Sequence, residues 1–303
     1  MKLCKVYSLA DAQEDDPFWQ DLLQQMSPGW KALGALHRKY WEWGLGLYGL
    51  HKLGCIRPDA QGLGVAAGIE WPLFYLANRV QRVVATDLYI LDSNFRDPDP
   101  TILGNAALIA PFPYRQEALV FQRMNALELQ FPANTFDFVF SFSSIEHFGG
   151  HGAAALAMQQ IARVLKPGGV ACIATELIIN DGRNYEFFRP EEIEPCFVKL
   201  SGMEMVEPLD LHVDDELIAK PVHFDFEPGY QGDTGPHTSV ACGNLTFTSI
   251  EFFLRKPRNW KPITRWTRRR LYARMMADLG LQRTRESIPS VVRRSIKRLL
   301  HLS

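Results

Sequence analysis

Hydrophobic and polar positions change their rhythm twice along this chain of 303 residues. Residues 17–54 are rich in aromatics, and Leu33, Leu36, His37 and Tyr40 recur at helical spacing before Gly44, Gly46 and Gly49 loosen the pattern. From Gln61 the rhythm becomes short apolar runs alternating with helical stretches. Strands are predicted at 61–66, 82–87, 119–123, 136–142 and 169–177, with helices at 70–80 and 153–165. A helix is expected near Pro190, where proline and acids suit a first turn. Strands around 203–207 and 244–255 follow, separated by a polar stretch, 208–243, long enough to suggest a functional loop. Strands alternating with helices predict an α/β fold with a parallel sheet covered on both faces.

Charge adds a third segment. From Arg255 onward 15 Lys and Arg face two acids, while the rest of the chain carries a surplus of 14 acids, so the overall charge of −1 conceals a split. The stretch 257–303 interleaves arginine with Trp260, Trp266 and Leu271, and Val292, Ile296, Leu299 and Leu300 suggest a short amphipathic helix. Such a basic tail suits an anionic membrane surface. Nucleic acid phosphates are weighed behind that, and docking on the acidic body of the chain stands beside both. No run approaches ~20 apolar residues and the start does not read as a signal peptide. The five scattered cysteines, Cys4, Cys55, Cys172, Cys196 and Cys242, read as reduced core thiols. The expected location is cytoplasmic, or peripheral at the inner face of a membrane.

Candidate chemistry gathers where strands end. Gly62, Gly64 and Gly68 lie between the first strand and its helix, where small residues let backbone approach a ligand and a helix N-terminus offers N–H groups. Asp87 closes the second strand, where a carboxylate can accept both hydroxyls of a ribose. Asn125, after the third strand, is placed to accept from an adenine amine, with the N–H of Ala126 donating to a ring nitrogen. Ser141, Ser143, Ser144, Glu146 and His147 mass just past the fourth strand. His147 is a candidate base for an acceptor hydroxyl, with Glu146 orienting it or capping a helix; each is also an ordinary structural residue. The aromatic N-terminal layer reads as a packed helical layer or as a lid with Tyr40, Trp41 or Tyr48 facing a pocket.

Together these features resemble the class I S-adenosylmethionine-dependent methyltransferases over roughly residues 55–256. LGVAAGIE is similar to that family's first motif, VVATDLY to its second, and FDFVFSFSSIEHF with RVLKPGGV to its later ones. The resemblance implies S-adenosyl-L-methionine as cofactor and a doubly wound, mostly parallel sheet of seven strands in the order 3-2-1-4-5-7-6. It places Gly64, Ala66, Gly68, Asp87, Leu88, Asn125, Ala126 and Ser141 around the cofactor. Gly64 stands where the family often has an acid, Ala66 where it has glycine and Asn125 where it often has aspartate. A looser likeness, through the WEW-type helix, is to members associated with glycan synthesis. The chain thus divides into an N-terminal helical cap (1–54), a cofactor domain (55–256) and a basic tail (257–303). The expected reaction is metal-independent methyl transfer to a hydroxyl of a small-molecule or glycan acceptor. Its rivals are a nicotinamide-dependent (NAD) oxidoreductase, whose G-x-G-x-x-G/A fingerprint Gly62, Gly64 and Ala67 also fit, and a non-catalytic nucleotide-fold protein recruited by its tail.

Overall fold

A computed structural model describes residues 1–89, 103, 105–223, 237–262, 270 and 273. Its centre is a sheet built where the apolar runs predicted it: β2 (Gln61–Val65), β3 (Arg82–Asp87), β4 (Leu119–Arg123), β5 (Phe136–Phe142) and β6 (Leu165–Ile178). These five pair in parallel, in the order β4-β3-β2-β5-β6. Strands covered on both faces need apolar side chains on both, and accordingly Leu63, Val83, Val139, Phe140 and Cys172 are all buried.

The long β10 (Leu245–Arg255) then runs antiparallel along β6. Around it gather β1 (Lys5–Val6), β7 (Glu204–Met205) and β9 (Val240–Cys242), all antiparallel to it, with β8 (Val222–His223) beyond β9. The fold is therefore a mixed α/β sheet, mostly parallel, as expected; among the described residues it has ten strands where seven were expected. The additional ones are two or three residues long. Pairs that short have no periodicity to read.

The N-terminal segment contributes α1 (Pro17–Met26) and α2 (Arg38–Lys52) besides β1. Asp16 starts α1, its carboxylate accepting from the N–H groups of Phe18 and Trp19, with Pro17 at the first helical position. Gly44, Gly46 and Gly49, expected to loosen the pattern, lie inside α2. Their role is close approach: a Cβ on Gly46 would come within 2.5 Å of the Phe142 ring, and one on Gly49 within 2.2 Å of Phe253. Gly46 and Gly49 let the helix press onto β5 and β10, while Gly44 lets it press onto Trp19 and Leu23 of α1. One continuous hydrophobic core joins Trp19, Leu22 and Trp41 of this layer to Phe138, Phe140 and Phe252 of the sheet.

On the sheet side, α3 (Trp71–Ala77) follows β2 and α4 (His151–Val164) follows β5. The helix at α5 (Pro190–Ile193) continues as a wider, π-helical turn over Glu194–Lys199, where Pro195 lacks the N–H of a regular α-helical turn. A short α6 (Asp215–Ala219) precedes β8. The expected loop 208–243 is described up to residue 223 and again from 237; its middle lies outside the described residues. So does most of the basic tail beyond 262, whose expected amphipathic helix is not among them. What is described of the tail's start is docked: Trp260 donates its indole N–H to Ser201 O at 2.9 Å and packs against the main core.

Candidate cofactor and acceptor site

The parallel strands end on one edge, and the predicted site residues are found there. β2 runs out through Ala66 and Gly68, with φ of 51° and 46°. Both are left-handed, a conformation cheap for glycine and unusual for alanine. This turn is fixed from three sides. The Gly68 N–H donates to Asp87 Oδ2 at 3.0 Å, the Tyr89 hydroxyl donates to Gly68 O at 3.0 Å, and Ser144 Oγ donates to Ala66 O at 3.0 Å. The small-residue bend and the strand-end carboxylate, 19 residues apart, are thus in direct contact. Leu88 contributes its N–H to the other oxygen, Asp87 Oδ1, at 2.6 Å. Two backbone donors hold the carboxylate in one orientation.

Gly64 sits within β2, where a Cβ would lie 2.7 Å from Ala67 Cβ and 2.9 Å from the Phe140 ring. An acidic side chain has no room at this position. Asn125 follows β4, and its Oδ1 accepts the Leu127 N–H at 2.9 Å, so its side chain also builds the turn that carries Ala126. Ser141, at the end of β5, is fully buried and its hydroxyl meets no hydrogen-bond partner among the described residues.

The structure separates the two candidate catalytic residues. Glu146 is wholly buried and accepts from Thr175 Oγ1 at 2.9 Å, and its other oxygen has no hydrogen bond among the described residues. Burial is the main cause that raises its carboxyl to about 7. The hydrogen bond of Glu146 thus goes to Thr175. The carboxylate beside the imidazole ring nitrogen is that of Glu186, which sequence reading did not find: His147 Nδ1 lies 3.4 Å from Glu186 Oε2, with the ring partly exposed. Burial opposes charge on His147, but the bond to Glu186 and the nearby charge of Glu146 outweigh it and raise the pKa.

Behind these groups lies a buried ionic cluster that links α2 to the strand ends. Arg38 Nη1 contacts both oxygens of Glu176, at 2.6 and 2.7 Å, and Lys39 Nζ bridges Phe142 O at 2.7 Å, Glu70 at 3.0 Å and Glu42 at 3.2 Å. Glu42 also accepts from Ser143 and Ser249. Burial leads the causes that push Glu70 up to about 7. The spacing of Arg38 and Glu42, one helical turn apart, was the visible signal for this cluster. Glu186 had none. Trp41 and Tyr48, two of the three aromatics considered for a pocket, are instead buried, donating to Asp11 and Asp16; Tyr40 remains half-buried at the edge.

A cavity of about 630 Å³ lies elsewhere, by the basic residues Arg57, Lys166, Arg255 and Arg258. It opens beside the turn into β6, away from Gly68, Asp87 and His147. The groups that carry chemistry are not in it.

A parallel sheet with a tight small-residue turn, an acid at the end of the adjacent strand and polar groups past the fourth is the arrangement in which open α/β sheets bind ligands at their strand ends. Residues 63–173 match the family model described as a methyltransferase domain. Solved structures of similar shape include a candidate sarcosine dimethylglycine methyltransferase from Galdieria sulphuraria, 17% identical, with 71% of this chain and 85% of that one aligned at a TM-score of 0.49. The YcgJ protein from Bacillus subtilis is 16% identical over 72% of this chain and 99% of its own, at 0.47. Phosphoethanolamine N-methyltransferase 2 from Haemonchus contortus, solved with S-adenosyl-L-methionine, is 20% identical over 61% of this chain and 44% of its own, at 0.42. No curated protein sequence matches the chain.

Proposed function

We propose that the protein transfers the methyl group of S-adenosylmethionine to a hydroxyl of a small-molecule or glycan acceptor, without a metal. The observation that supports this reading is the Gly68–Asp87 contact, which brings the bend and the acid together at the strand ends. In this reading Asp87 takes the ribose hydroxyls, Leu88, Asn125 and Ala126 border the adenine, and Gly64, Ala66, Gly68 and Ser141 leave room along the rest of the cofactor. Seven of the ten strands then correspond to the order 3-2-1-4-5-7-6. The division into cap, cofactor domain and basic tail is part of the same proposal, as is a membrane-surface role for residues 257–303. Among the described residues no helix is long and apolar enough to cross a membrane.

When bound, the cofactor would supply a methyl carbon on a sulfonium leaving group for transfer to an acceptor oxygen, whose hydroxyl proton has to be taken up. The protein's task is alignment and removal of that proton. Orientation supplies several kcal/mol, up to ~7–11 in ideal cases. With Nδ1–H directed at Glu186, His147 takes the proton at Nε2. A base of this kind adds ~10²–10⁴-fold.

Titration calorimetry with S-adenosylhomocysteine and with NADH tests the reading. Binding of the former is expected, weakened about tenfold or more in Asp87→Ala by loss of a charged hydrogen-bond acceptor. Binding of NADH alone would overturn it.

A further inference from the structure

Five aromatic rings run in contact from the N-terminus of α2 to the start of α3. His237 stacks on His37 at 5.1 Å, His37 meets Tyr40 at 5.5 Å, Tyr40 meets Trp43 at 5.5 Å, and Trp43 stacks on Trp71 at 6.1 Å. Trp43 is buried, whereas Tyr40 and Trp71 are half-buried, and Ile69 beside them is exposed. The row ends at the Gly68 bend, next to Glu70.

Under it lie two unmet polar atoms. Among the described residues Glu70 Oε2 is buried without a hydrogen bond, although Lys39 holds the carboxylate's other oxygen at 3.0 Å. Trp43 Nε1 is likewise buried without one among them. The indole is near enough to favour the charged carboxylate, yet forms no full hydrogen bond with it. Buried groups left this way are costly. One lacks a donor and the other an acceptor. A hydroxyl supplies both at once, donating to the carboxylate and accepting from the indole N–H. A charged amine has no lone pair for the indole.

We propose that this aromatic row is the acceptor subsite and that the acceptor is a carbohydrate, its C–H face against Tyr40 and Trp71 and one hydroxyl bridging Trp43 Nε1 and Glu70 Oε2. The assignment rests on reading the cleft as a methyl-transfer site. Polarity separates a sugar from other hydroxyl compounds. A phenol or simple alcohol offers a single hydroxyl. A pyranose ring presents an apolar face for the rings and several hydroxyls around its rim.

Saturation-transfer NMR on the full chain, with a panel of methyl hexosides and 6-deoxyhexosides and with phenol and cyclohexanol as controls, tests this. Calorimetry with S-adenosylhomocysteine runs in parallel. Transfer to the ring C–H protons of at least one glycoside is expected, falling roughly tenfold in Tyr40→Ala and Trp71→Ala as a ring contact is lost. Glu70→Gln and Trp43→Phe should weaken the same glycoside, while all four variants bind S-adenosylhomocysteine within about twofold of the parent. Saturation of phenol or cyclohexanol but no glycoside would overturn the proposal. So would ring variants that lose the nucleoside, which would make the row a cofactor wall. If the parent chain binds no S-adenosylhomocysteine, the methyl-transfer reading itself fails, and calorimetry shows that independently of the glycosides.

Discussion

His147 is paired with Glu186, 39 residues further along the chain, and not with Glu146, its immediate neighbour. The consequence is a sign for the pH profile. Glu186 raises the histidine pKa, so the ring becomes a competent base only as pH rises through that raised value. Glu186→Gln should therefore shift the acidic limb of kcat to lower pH, while His147→Gln removes the limb along with ~10²–10⁴-fold of the rate. An unmoved limb in Glu186→Gln would show that the pair plays no part in turnover.

Asp87 accepts from two backbone N–H groups, one on each oxygen. Asp87→Asn presents an oxygen to only one of them and sets an amide N–H against the other. Such a misplaced donor costs about 1–3 kcal/mol, so S-adenosylhomocysteine affinity should fall between about fivefold and 100-fold. Calorimetry of the variant, with circular dichroism to confirm the fold, checks this.

Glu251 is fully buried between strands, taking a weak bond from Cys172 Sγ at 3.2 Å. Burial, aided by the field of Glu42, pushes its carboxyl well above the usual range. A carboxyl raised on folding favours the folded state fully at low pH, and that contribution is lost as pH climbs through the raised value. Glu251→Gln keeps the shape and removes the titration. The variant should match the parent below about pH 4.5 and become the more stable of the two as pH rises, read from urea midpoints across pH.

Asp16 has the opposite sense. The Tyr48 hydroxyl leads the causes that hold its carboxyl down to about 2, helped by the Phe18 and Trp19 N–H groups. Its contribution is present above the ordinary carboxylate range and lost as pH falls through the lowered value. Asp16→Ala should cost about 1–2 kcal/mol at neutral pH, as loss of a helix cap does, with the gap to the parent closing near about pH 2. Thermal melts at several pH values would show it.

Much of the sheet was legible because fully buried strands must be apolar along their length. The predicted spans 82–87, 119–123 and 136–142 are the observed β3, β4 and β5. The strand-end acid and the bend were legible too, since a strand end and a small-residue turn leave local marks. What escaped was set by distant packing. Gly46 and Gly49 looked like helix breakers because the rings that need their missing side chains, Phe142 and Phe253, lie about 100 and 200 positions away. Glu186 was invisible for the same reason, and Glu146 drew attention only by standing next to a histidine.

The pairing of β1 with β10 bears on how the chain is made. Cys4 lies against Phe253, 249 positions later, so on a ribosome adding ~5–20 residues per second the first strand waits at least ~12 s for its partner. During that interval β6 presents an open flank of backbone donors and acceptors, which β10 later closes. The nascent chain is therefore most vulnerable to intermolecular pairing just before its last long strand emerges, and a holding chaperone would have its greatest effect at that moment.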